Sequence, residues 1–198
     1  MIADAWERAK AAFEIESEAV AQAIRHIGMD VFAQAVDALA RAERIAASGC
    51  GHSGIACMHF AHLMCCIEKP ARFLSPSEAS HGATGFLKAG DVLLLASRGG
   101  MTNELTPILE IAKKKKATVI GITQNAESRL ARDVDIWIPM HVTRECDRGD
   151  SQGTTSFVVL SAIFDALQTA LIEQTGFTNE RFALVHPGGA VGARLNEG

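Results

Sequence analysis

The chain has 198 residues, 48% of them hydrophobic, which suits a single α/β domain with a sizeable core and excludes a disordered polymer. Nineteen Lys and Arg against twenty-three Asp and Glu leave a net charge of −4, which argues against a general nucleic-acid binder. Nine Phe, two Trp and no Tyr also offer little surface for stacking on bases.

The chain opens Met1-Ile-Ala-Asp-Ala-Trp-Glu-Arg8, without the basic start and apolar core of a signal peptide. Trp6, Phe13, Val20 and Ile27 recur every seven residues, with Ala9, Ala23 and Ile24 beside them, which predicts a long helix. That helix either packs on its own chain or lies across a second subunit. Gly28 is a natural stop and Asp30 a natural cap for a second helix, whose apolar stripe is Val31, Phe32, Ala35, Val36 and Leu39. From Glu43 the pattern changes. Short apolar runs at 44–48, 71–74, 92–96, 118–122 and 134–138 read as strands. Helical patterns at 55–67, 105–116 and 127–131 fall between several of them. This alternation predicts a doubly wound α/β fold, a parallel sheet with helices on both faces.

Cys50, Cys57, Cys65 and Cys66 lie in one apolar region and Cys146 stands apart, an odd total that fits reduced, core-filling thiols better than a disulfide framework. Ser156 to Ile172 is apolar nearly all round and predicts a buried helix, started by Gly153-Thr-Thr-Ser156. A short polar helix follows Gly176, then Val185-His-Pro-Gly-Gly-Ala-Val-Gly192. No apolar run is read as membrane-spanning, and no repeat, linker or second domain is evident. The expectation is one domain over residues 1–198, cytoplasmic, with no membrane or nucleic-acid partner, and with helices 2–42 packed on a partner subunit.

Two glycine corners carry the chemistry. Ser97-Arg-Gly-Gly-Met-Thr-Asn-Glu104 follows an apolar strand and precedes a helix. Free N–H groups at the helix start, the positive end of its dipole, and the Ser97 and Thr102 hydroxyls suit a phosphate; Gly99 and Gly100 let it approach the backbone. The plainer reading is a turn with Thr102 as N-cap. Gly49-Cys-Gly-His-Ser-Gly54 repeats this logic, with Ser53 at the helix start. It lacks full Rossmann spacing and the Lys of a P-loop. Two such corners at the carboxyl ends of parallel strands suggest a crevice for a small phosphate ester.

These corners, with Ser75-Pro-Ser-Glu-Ala-Ser-His-Gly82, Arg144-Glu-Cys-Asp147 and Phe182-Ala-Leu-Val-His-Pro-Gly-Gly-Ala190, resemble the sugar isomerase (SIS) domain, and more narrowly the D-arabinose 5-phosphate isomerase family. The resemblance runs from about Val31 to Leu195. It implies a five-stranded doubly wound sheet and a dimer or tetramer with sites shared between subunits. It also implies interconversion of arabinose 5-phosphate and ribulose 5-phosphate through an enediol, with no cofactor and no metal. Family members often carry a pair of nucleotide-binding CBS modules after this tail; here the expectation is that such regulation is absent.

Carried over by position, Ser53, Ser97 and Thr102, with Gly51, Gly100 and His81, belong to the substrate and phosphate pocket. Glu145, Glu104, His186 and His52 form the catalytic set. Moving a proton between C1 and C2 needs one base that takes and returns it. Glu145, between the fifth strand and the buried helix, is the first choice and Glu104 the second. As a plain surface acid, Glu145 would instead sit beside Arg144 and Arg148. His186 suits ring opening near neutral pH, and its late Gly-rich segment suits reaching a neighbouring subunit. Two departures bear on the substrate: His52 stands where the family has Lys, and Arg98-Gly-Gly-Met101 replaces a Ser-rich loop with an acidic residue. An inward-pointing Arg98 would restore the missing cation. His59, His62 and Cys66 share a helical face but lack a second ligand pair, so no metal is expected. The alternatives are an isomerase of another phosphosugar, such as a hexulose 6-phosphate, and a non-catalytic sugar-phosphate sensor.

Overall fold

The apolar runs form one five-stranded parallel sheet in the computed structural model, which describes residues 2–196. Its strands are β1 (Ile45–Gly49), β2 (Ala71–Phe73), β3 (Val92–Ala96), β4 (Thr118–Thr123) and β5 (Ile136–Pro139), in the order β2-β1-β3-β4-β5. The chain steps outward from β1 to β2, then crosses back so that β3 pairs with the other side of β1. The carboxyl ends of β1 and β3, where Gly49 pairs with Ala96, therefore flank the point where winding reverses. Open α/β sheets bind ligands at that point.

Helices α1 (Ile2–Ala23) and α2 (Met29–Arg41) precede the sheet. Between strands come α3 (Gly51–Cys66), α4 (Pro76–Ser80), α5 (Thr106–Lys114) and α6 (Arg129–Asp133); α7 (Thr155–Thr175), α8 (Asn179–Val185) and α9 (Gly189–Asn196) follow β5. Strand side chains alternate between two cores. Val92, Leu94 and Ala96 of β3 join Leu39, Phe60, Phe164 and Leu167 beneath α2, α3 and α7. Leu93 and Leu95 join Ile108, Leu109 and Leu130 beneath α5 and α6. Asp91, buried just before β3, accepts the Lys88 N–H at 2.7 Å and pairs with Arg44 at 2.6 Å, tying together the entrances of β1 and β3.

Several sequence expectations need correction. Asp30 lies in the first turn of α2 and Gly28 is its N-cap, since the chain is already extended at Gly28. Thr102 makes no side-chain capping bond; a 3₁₀ turn (Asn103–Leu105) follows it, and α5 starts at Thr106 with Pro107 in its first turn. The tail, to which the sequence assigned no element, forms α9 from Gly189 onward. One helix, α7, is long and apolar enough to cross a membrane by length and composition. It packs against α1, α2 and α3 of its own chain, as a core helix does. The predicted heptad stripe divides: α1 ends at Ala23 and a 3₁₀ turn (Ile24–His26) follows, Val20 on α1 and Ile27 beyond that turn pack on the core, and Trp6 and Phe13 are 62% and 78% exposed.

Candidate active site

The corner after β3 is built by short-range bonding. The Ser97 and Thr102 hydroxyls lie 2.8 Å apart, and the Gly100 N–H donates to Ser97 Oγ at 3.1 Å. Thr102 thus spends its hydroxyl across the loop rather than on a helix end. Gly100 has φ +68° and sits against Ser128 and Thr123, so only glycine fits there without strain. Ser97, Gly100, Met101, Thr102, Thr106 and Arg129 line a cavity of about 80 Å³ at this corner. Arg129 is already held there by Glu110 at 2.6 Å and Asp133 at 3.2 Å. Glu104 is exposed on the 3₁₀ turn. Burial, and after it the Glu104 carboxylate, push the Cys50 thiol up; the two corners are neighbours because Gly49 pairs with Ala96 at the ends of β1 and β3.

The corner after β1 presents Gly51, His52 and Ser53 in the first turn of α3. His52 Nδ1 lies 2.6 Å from the Gly153 carbonyl, which commits that nitrogen as the donor and leaves Nε2 for another partner. A Cβ at Gly153 would stand 2.7 Å from His52 Nδ1, so this contact needs a glycine. His52 also meets Phe157 edge-on, and this joins α3 to the start of α7.

Glu145 is not a surface acid: it is 2% exposed. Its Oε1 accepts from Arg98 Nη1 at 2.7 Å, and its Oε2 accepts the Ser156 N–H at 3.0 Å and the Thr154 hydroxyl at 3.4 Å. The positive end of α7 and one guanidinium thus compensate a buried carboxylate. The loop carrying it is self-stapled. Asp150 accepts the Glu145 N–H at 2.5 Å, while Asp147 accepts N–H bonds from Gly149, Ser151 and Gln152 at 2.9–3.2 Å. These bonds, that from Gln152 foremost, hold the Asp147 carboxyl below its ordinary range.

Glu145, Arg98, Ser97, Thr102, His52, Gly51 and Ser53 therefore stand on the loops at one end of the sheet. His81 and His186 are not brought to them by any described contact. His81 is exposed at the end of α4. His186 follows α8 with its ring against Phe182, and its Nδ1 is buried without a hydrogen-bond partner. The helices α8 and α9 pack chiefly on each other, with an Arg181–Glu68 ion pair to the rest of the chain. Sequence reasoning quoted Asp147, Gly153 and Thr154 within longer stretches but gave them no role at the site. The Asp-x-Gly turn pattern at 147–149 could have exposed Asp147 as a loop staple. Among the described residues, no three His, Cys, Asp or Glu side chains converge as a metal site. His62 Nε2 and Cys66 Sγ lie 3.6 Å apart, and His59 instead faces Asp165 at 3.8 Å.

Strand-to-helix corners at the reversal point, where open α/β sheets bind ligands, thus stand beside a buried carboxylate. The chain belongs to the SIS-domain family, whose model matches residues 38–170. It is 34% identical to the arabinose 5-phosphate isomerase KdsD of Yersinia pestis over 97% of this chain and 58% of that protein. It is 36% identical to the KdsD of Pseudomonas aeruginosa over 91% of this chain and 56% of that one. The chain therefore spans rather less than two thirds of these relatives. Among solved structures, a candidate sugar-phosphate isomerase from Listeria monocytogenes superposes with a TM-score of 0.90 at 34% identity, covering 92% of this chain and 96% of that one. An E. coli CFT073 protein in complex with A5P superposes at 0.87 with 29% identity, covering 93% and 98%.

Proposed function

We propose that the protein is a phosphosugar aldose–ketose isomerase that interconverts arabinose 5-phosphate and ribulose 5-phosphate. The observation that carries this reading is the buried Glu145 carboxylate, placed between the start of α7 and the hydroxyl-lined corner after β3. The substrate follows from the relatives named as arabinose 5-phosphate isomerases and from the A5P-bound relative. Ser97, Thr102 and Ser53, with the N–H groups about Gly100 and Gly51, take the phosphate. Glu145 removes the proton from C2 of the open-chain aldose, and the released electron pair forms the C1–C2 double bond while O1 gains a proton. Loss of the O2 proton and return of the carried proton to C1 yield the ketose. No redox partner is required, because C1 gains the electrons that C2 loses. Glu104, exposed on the facing loop, is the second candidate for the carrier.

In this reading His186 and His81 reach the crevice from another subunit, His186 serving ring opening, and His52 orients the sugar through its free Nε2. The exposed Trp6 and Phe13 on α1, Ile55 and Met58 on α3, and Leu184, Val185 and Val191 on α8 and α9 suit a homodimer or homotetramer. The first half of α1, rather than all of residues 2–42, then packs on the partner, since Ala35, Val36 and Leu39 of α2 are buried within the chain. The protein works in the cytoplasm, where its five unpaired cysteines stay reduced.

A second reading, a sugar-phosphate sensor of the same fold, is favoured by the Arg98–Glu145 pair, which covers the carboxylate. A panel of phosphopentoses and phosphohexoses in deuterium oxide separates the two. The isomerase exchanges solvent deuterium into C1 or C2 of arabinose 5-phosphate. Tight binding without exchange on any sugar overturns the isomerase in favour of the sensor.

A further inference from the structure

The Glu145 carboxylate is 2% exposed, so no substrate carbon reaches it until one of its partners moves. Two of the three cannot move cheaply: the Ser156 N–H belongs to the first turn of α7, and Thr154 also accepts the Cys146 N–H at 3.1 Å. The third is Arg98, a long side chain that is 33% exposed. Its backbone is fixed, because its carbonyl accepts from Thr123 Oγ1 at 2.9 Å and the Gln124 N–H at 3.0 Å. Among the described residues its side chain is held only by Glu145 and by a long 3.4 Å contact from Nε to Gln124 Oε1. Arg98 also directly follows Ser97, so it sits on the loop that lines the phosphate cavity. Arg129, the arginine that does line that cavity, is engaged by two carboxylates.

We propose that Arg98 is a two-position cation: it rests on Glu145 in the empty site and transfers to the phosphate of a bound sugar, uncovering the carboxylate only when the anion is in place. The inference rests on the isomerase reading and deepens it. A phosphate dianion draws a guanidinium more strongly than a carboxylate does, and it accepts the planar fork in two bonds where Glu145 here takes one. When Arg98 leaves, Oε2 keeps the Ser156 N–H, so the carboxylate stays aimed while Oε1 turns free. The device ties proton transfer to phosphorylated sugars and makes Arg98 a positioning residue, acting through Glu145.

The test splits the substrate in two. Solvent deuterium entry into C2 of unphosphorylated D-arabinose is followed with and without inorganic phosphite as a free dianion. In the unmodified protein phosphite should raise the exchange rate on the order of tenfold or more, the worth of one charge-assisted hydrogen bond. In Arg98→Gln, which keeps a hydrogen-bonding side chain but no charge, the phosphite effect should vanish and exchange without phosphite should exceed that of the unmodified protein. Arg98→Lys, which keeps the charge, should retain part of the activation. Two folded variants of similar length keep the test open if Arg98→Ala does not fold. Equal phosphite activation in Arg98→Gln overturns the proposal, as does its absence in a protein that does exchange arabinose 5-phosphate. A protein with Arg98 intact that exchanges no phosphorylated sugar marks failure of the isomerase reading itself.

Discussion

Glu145 and Gly100 are the two positions at which a change of a few atoms discriminates best. Glu145→Gln keeps the side chain's size and its acceptance of the Ser156 N–H, but it removes the proposed proton carrier. Deuterium exchange on arabinose 5-phosphate should fall by about 10³-fold while binding of the sugar, followed by calorimetry, persists. Full exchange in that variant would pass the role to Glu104. At Gly100, an added Cβ would overlap the Ser128 side chain and stand 2.7 Å from Thr123 Oγ1, on a backbone with φ +68°. Gly100→Ala should lower stability by about 2–4 kcal/mol in urea unfolding, because strain and overlap add. It should also weaken phosphate binding, since the Gly100 N–H to Ser97 Oγ bond would be displaced.

Among elements, the loop from Glu145 to Gln152 holds its shape through Asp147. Backbone N–H groups, that of Gln152 first, hold the Asp147 carboxyl below its ordinary range. A lowered carboxyl stabilises the fold above the unfolded value of about 3.9 and loses that contribution as pH falls through the folded one. Protection of the Gly149, Ser151 and Gln152 amides, measured against their intrinsic exchange rates, should therefore hold at pH 5 and fall once the pH drops below that range, ahead of the β3 amides. Asp147→Ala should lack that protection at both. The same comparison shows what was legible in the chain. Strand β3 is visible residue for residue, because Val92–Ala96 is apolar throughout and bounded by Asp91 and Ser97. Strand β5 starts at Ile136, two residues into the apolar run 134–138, because Asp135 turns its carboxylate back to the Val119 N–H at 2.7 Å. The glycine corners are readable because a backbone at positive φ demands glycine. The pairing of Arg98 with Glu145, 47 residues apart, is not, since it depends on how far two side chains reach between loops. Helix α9 escaped notice because its eight residues include Gly189 and Gly192, which weaken any helical pattern.

For the whole molecule, the proposal that His186 completes a neighbour's site has a direct consequence. Glu145→Gln and His186→Asn subunits, each inactive alone, should recover activity when mixed and reassembled. A random mixture of dimers should reach about a quarter of the unmodified rate, because half the dimers then hold one intact site of two. No recovery on mixing, with mixed oligomers verified by mass spectrometry, would confine His186 to its own chain. The position of a bound sugar phosphate decides between these outcomes, and a crystal structure with arabinose 5-phosphate bound measures it most directly. It should place the phosphate against Ser97, Thr102 and Gly100, Arg98 on the phosphate, and C2 about 3–3.5 Å from the Glu145 carboxylate. A phosphate bound away from these loops, with the Arg98–Glu145 pair unbroken and C2 out of reach of both Glu145 and Glu104, would contradict it.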